Sequence, residues 1–147
     1  MRNHHAGSAV ALDLLDRMCA REGGSELGLV LDDLRGDIAS DREALEQVMD
    51  TLGVAPGTVR EAGGRVIETV SRIKLDERVT GSAHLTHLME TEALSLGIEG
   101  KRSGWAALKE LSPDGLGVDL DALIGRAEDQ RARLEPFRLA AARNAFA

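Results

Sequence analysis

The chain has 147 residues, a formal net charge of −7 and only 2% aromatic residues, about one domain's worth, able to bury roughly two-thirds of its unfolded surface. The acidic balance excludes a binder of the phosphate backbone, which draws on clustered Lys and Arg, so no nucleic-acid partner is expected. No apolar run approaches the roughly 18 residues a bilayer span needs, and MRNHHAGSAV at the start lacks an apolar signal core, so the expectation is a cytoplasmic protein with no membrane contact.

With one Trp, two Phe and no Tyr, the core must be built from Leu, Ile, Val, Met and Ala, which favours helices over a sandwich or barrel. We expect one domain over residues 1–147, with 1–7 disordered and His4 and His5 in that frayed end. A first helix is predicted over about 8–22, with Ser8 as its N-cap, Leu12, Leu15 and Cys19 on one face, and Gly23-Gly24 as the stop. The lone Cys19 has no internal disulfide partner, and its seam position predicts an inert thiol.

The strongest periodic signal follows. Leu27, Leu31, Leu34, Ile38, Asp41, Leu45, Val48 and Leu52 advance in alternating steps of four and three, the spacing of a stripe that faces a bundle core. One straight helix over 25–52 would run about 42 Å. Ser40 and Glu43 stand in capping-box spacing after Gly36, so a second helix starting at Asp41 remains an alternative. A third helix is predicted from Pro56 and a Thr58-to-Glu61 capping box to about Leu75, with 76–82 as a loop and Ser82 as the next cap. Residues 25–52 carry a local charge of −6 and residues 56–74 one of +2, which predicts that these two segments are neighbours.

The fourth predicted helix, about 83–111, shows two apolar faces: Leu85, Leu88, Met89 and Leu96 on one, and Leu94, Ile98, Trp105 and Leu108 nearly opposite. The second face needs its own cover, either from within the chain or from another subunit, and a two-fold homodimer anchored by Trp105 is the symmetric solution. Gly97, Gly100 and Gly104 follow a third face; each costs about 1 kcal/mol against Ala, which suggests a close backbone approach or a break. Ser112-Pro113-Asp114-Gly115 reads as a turn, and Asp119 as the cap of a last helix over about 120–145 with the seam Leu123, Ala127, Gln130, Leu134, Phe137 and Ala141. Pro136 should kink it.

The runs ETEALSLGIEGKRSGWAALKEL (90–111) and DLDALIGRAEDQRARLEPFRLAAAR (119–143) resemble a group of uncharacterised small bacterial helical proteins whose helices are similar to a ferritin-like four-helix arrangement. The likeness covers about 9–143 and implies a fold without an activity. Active ferritin-like proteins need Glu-x-x-His on two helices, because i, i+3 spacing turns both ligands inward. No Glu here has a His three residues later; His84, His87 and Glu90 come closest, in inverted order.

Asp41, Glu92 and Gln130 occupy apolar registers, where charged and polar groups are seldom buried unless paired. Asp33, Asp37 and Asp41 form an i, i+4 ladder that could hold a cation or be answered by Arg60, Arg65 or Arg72. Glu99 lies one heptad beyond Glu92, with Lys101 and Arg102 following. The reading is an all-α up-and-down bundle of four or five helices, ferritin-like in arrangement, without cofactor or metal centre. We expect a non-enzymatic structural or interaction protein that forms a homodimer. The rival is a small-molecule or metal-binding bundle, with an enzyme as one form of it, using Asp41, Glu92, Glu99 and Gln130. Convergence of those four on one cavity would favour the rival; dispersal favours the structural reading.

Overall fold

A computed structural model describes residues 1–55, 82–111 and 115–147. Four helices occupy these residues: α1 Arg2–Glu22, α2 Glu26–Thr51, α3 Ala83–Leu111 and α4 Leu120–Phe146. The expected all-α bundle is therefore present. The helix predicted over 56–75, its charge pairing with 25–52, and the turn at 112–114 lie outside the described residues. Among the described residues, no helix is long and apolar enough to cross a membrane.

Helix α1 starts six residues earlier than Ser8, so the expected disordered start and the Ser8 cap are both corrected. His5 is buried, and Ser8 Oγ donates back to the His5 carbonyl at 2.7 Å from inside the helix. Pairing holds this end in place: His5 Nε2 meets Glu46 Oε1 at 2.7 Å, and Arg42 donates to the His5 carbonyl at 3.0 Å. Gly24 then adopts φ +80°, a conformation open to glycine, and turns the chain into α2.

Ser25 caps α2 by accepting from Gly28 N at 2.9 Å. The close α1–α2 turn also explains Gly28: a Cβ there would stand 2.3 Å from the Glu22 carbonyl oxygen. Gly28→Ala is therefore expected to lose about 1–3 kcal/mol by overpacking, despite its better helix propensity. Urea unfolding that shows equal or greater stability for the variant would contradict the close approach. Helix α2 runs through Gly36 and Ser40 without interruption, so the single-helix alternative holds. The burial of its seam on one continuous face, Leu27 to Met49, outweighs the local capping signal.

Helix directions follow from the pairs between them. Arg21 reaches Glu90, and His4 lies against Gly104, so α1 and α3 are antiparallel. Asp37 pairs with Arg133, and Gln47 donates to the Gly117 carbonyl at 3.1 Å, so α2 and α4 are antiparallel. The hairpins α1–α2 and α3–α4 complete an up, down, down, up order. Among the described helices, α2 and α3 therefore run parallel.

Two apolar clusters fill the interior. One gathers Leu14, Leu15 and Met18 of α1, Leu31, Leu34 and Ile38 of α2, Leu94 and Ile98 of α3, and Leu134 of α4. The other holds Leu45, Val48, Met49, Trp105, Leu120 and Leu123. A side chain such as Leu31 or Leu34, fully buried, contributes about 1.5–3 kcal/mol by leaving water. The face proposed for a subunit interface is therefore internal: Leu94, Ile98 and Trp105 are core, and Leu108 packs against the second cluster. The other expected face of α3 is divided: Leu88 is buried, Leu85 and Met89 are partly buried, and Leu96 is 69% exposed. Of its glycines only Gly104 meets a neighbour, the His4 ring; Gly97 and Gly100 face open space, and the helix is unbroken.

Candidate functional site

Near mid-bundle, α2, α3 and α4 each place a polar residue in core register. Asp41 follows Ile38 and precedes Leu45 on α2; Lys101 stands between Ile98 and Trp105 on α3; Gln130 lies between Ala127 and Leu134 on α4. On α2 and α3 these residues separate the two apolar clusters. Asp41 is 2% exposed and Gln130 fully buried.

Their side chains meet. Gln130 Nε2 donates to Asp41 Oδ2 at 3.0 Å, and its Oε1 accepts from Lys101 Nζ at 2.5 Å. Lys101 Nζ also donates to Asp41 Oδ2, so the three form a closed triangle. Arg126 adds a second cation, with Nη2 2.6 Å from Asp41 Oδ1. That ion pair lacks the alignment of a hydrogen bond: among the described residues neither Asp41 Oδ1 nor the buried Arg126 Nε has a hydrogen-bond partner. Burial pushes the Lys101 ammonium below its ordinary range, against the opposing pull of Asp41.

Of the four residues singled out in the sequence, the structure brings together Asp41 and Gln130 and disperses the others. Glu92 faces solvent beside Arg138, at 3.5 Å, because it lies on the side of α3 away from Leu94 and Ile98. Glu99 is half-exposed and pairs with Arg102 at 2.8 Å and Arg131 at 2.5 Å; the Arg102 hydrogen bond holds its carboxyl below the usual range. Arg60, Arg65 and Arg72, expected to answer the acidic ladder, lie outside the described residues, within which other cations meet it. Asp37 pairs with Arg133, Asp41 with Lys101 and Arg126, and Asp33 is exposed. These cations come from α3 and α4.

Lys101 and Arg126 escaped sequence reasoning as partners of Asp41. A signal for Lys101 was present: Ile98, Lys101 and Trp105 continue a three-four step, which places the lysine in core register. Arg126 carries no such signal, since it sits one position before the seam residue Ala127.

A second polar cluster occupies the place of the nearest metal-like run. Glu90 is buried, and Arg21 of α1 grips it with Nη2 at 2.6 Å and Nη1 at 3.3 Å. His87 Nδ1 lies 3.7 Å from Glu22. Among the described residues, no group of three or more His, Cys, Asp and Glu side chains is arranged to hold a metal ion. Cys19 is half-buried against the first cluster, and burial raises its thiol pKa, the direction that lowers reactivity.

Gln130→Leu is expected to cost about 1–3 kcal/mol, since it strips a partner from both Asp41 and Lys101 in a buried setting. A marked gain in melting temperature would show that the triangle does not form.

The fold and its inner layer define an all-α helical bundle with a charged cross-section. Comparison of the chain with protein-family models, with curated proteins and with solved structures gives no match.

Proposed function

We propose that the protein is a non-enzymatic structural or protein-interaction bundle without a metal centre. The supporting observation is that its inward-facing carboxylates are met by the chain's own cations: Asp41 by Lys101 and Arg126, and Glu90 by Arg21. A carboxylate neutralised by adjacent guanidinium and ammonium groups offers little net charge to attract a metal ion. Dispersal of Glu92 and Glu99 argues the same way.

Such layers select one alignment of packed helices over others, since a slip would bury an unpaired charge. In this reading the layer sets how α2, α3 and α4 register, and the function is carried by the outer surface. The homodimer expectation drew on the face of Trp105, which this chain covers itself, so the described residues supply no argument for it.

Elemental analysis of protein purified without a His tag, together with melting in the presence and absence of a chelator, tests the reading. The expected result is substoichiometric iron and manganese and an unchanged melt. About two transition-metal ions per chain, the complement of a ferritin-like centre, would overturn it.

A further inference from the structure

The first turns of α1 are fastened mainly by polar groups. Within residues 1–8 only His5 and Ala6 are buried, and Met1 packs against the second cluster; the other fastenings are hydrogen bonds. Arg42 of α2 is the hub. Its Nη1 donates to the His5 carbonyl and to Ser8 Oγ, each at 3.0 Å, and its Nε lies 3.1 Å from Glu46 Oε1. Arg2 Nε donates to the Ala55 carbonyl at 3.2 Å.

One atom in this network has two incompatible neighbours. His5 Nε2 stands 2.7 Å from Glu46 Oε1, an acceptor, and 2.9 Å from Arg42 Nη2, a donor, and a neutral imidazole nitrogen serves one or the other, never both. With the ring neutral, the charges of His5, Arg42 and Glu46 cancel; a proton on the ring leaves the trio with one excess positive charge. The pull of the carboxylate and the push of the guanidinium then act over nearly equal distances and largely offset. Solvent tips the balance, because the Glu46 side chain is 42% exposed against 25% for Arg42, which screens the attraction more than the repulsion. What is left is the cost of charging a residue that is 8% exposed.

The surroundings add no second acid. Helix α1 brings the Met1 ammonium, Arg2 and the exposed His4; Glu43 and Asp50 of α2 are exposed and, among the described residues, make no ion pair with this end; α3 presents Gly104 under the His4 ring. We propose that His5 is an acid-released latch: protonation of its ring undocks residues 1–8 from Arg42 and Glu46 and lifts Met1 and Ala6 off the apolar interior. Histidine is the side chain that ordinarily changes charge between pH 5 and 8, so the docked end holds in the upper part of that window and is lost as the pH falls. The latch goes beyond the structural reading and does not depend on it, since it requires only the contacts of α1 with α2.

Hydrogen exchange of the Ala6–Ala9 amides in the full chain tests it, expressed as protection factors so that the intrinsic pH dependence of exchange divides out. Protection is expected to fall about threefold or more between about pH 8 and pH 5, while the Leu31 and Leu34 amides of α2 keep theirs. His5→Gln should hold the parent's upper value throughout, since a side-chain amide can donate to Glu46 and accept from Arg42 at once and takes up no proton. Glu46→Gln removes the one attraction to a charged ring, so its fall should begin at higher pH; it carries the test if His5→Gln does not dock. Unchanged protection in the parent overturns the proposal. So does an equal fall in His5→Gln, an equal fall at Leu31 and Leu34, or a Glu46→Gln midpoint at or below that of the parent.

Discussion

Asp41→Ala is expected to lower stability by about 3 kcal/mol, the lower end of the range for breaking a buried ion pair, and to depress Tm by roughly 6–12 °C. Removing the carboxylate leaves Lys101 and Arg126 facing one another with no counter-charge, and Gln130 Nε2 without its acceptor. Two escapes moderate the loss. Lys101, already disposed by burial to shed its proton, can become neutral, and the part-exposed Arg126 can swing to solvent. The triple replacement Asp41→Leu, Lys101→Met, Gln130→Leu removes all three polar groups together and should return to within about 1 kcal/mol of the parent or exceed it, because apolar packing avoids the desolvation of paired charges. Urea denaturation of the four proteins measures both effects. An Asp41→Ala loss below about 1 kcal/mol, the scale of a surface pair, would show that the layer is solvated.

Trp105→Ala should be costlier still, about 3–5 kcal/mol, as for other large aromatics deleted from a core. The side chain is 3% exposed among Leu45, Val48 and Met49 of α2 and Leu120 and Leu123 of α4. Its loss opens a cavity in the second cluster rather than weakening a contact between subunits. The fall in stability should therefore be the same at about 1 and 100 μM protein, whereas dissociating oligomers lose stability on dilution. Trp105→Phe should cost much less, since it keeps most of the ring and discards an indole N–H that has no acceptor among the described residues. A sedimentation shift from dimer to monomer in Trp105→Ala with an unaltered melt would return this residue to an interface.

Much of the architecture was legible because it rests on periodicity. The four-three steps from Leu27 to Val48 and from Leu123 to Ala141 mark the faces that are buried in α2 and α4. Asp119 reads correctly as a cap, as do Gly23-Gly24 as a stop. Where the reading failed, a local cue was overruled by contacts distant in sequence. Ser8 looked like a helix start, but His5 is drawn into the bundle by Glu46 and Arg42, some forty residues away. Leu96 looked like part of a second apolar stripe with Leu88, but Leu88 is buried whereas Leu96 is 69% exposed.

The amino-acid pattern by itself determined that these segments are helices and which stripe of α2 and α4 turns inward, because amphipathic spacing decides the side of a helix that leaves water. It also marked Asp41 and Gln130 as polar groups in apolar registers. Only the tertiary structure decided that α2 and α3 run parallel, that Trp105 lies inside one chain, and that Lys101 and Arg126 answer Asp41. Those outcomes depend on which helix faces which and at what height, and pairing across 60 or 85 residues leaves no trace in local spacing.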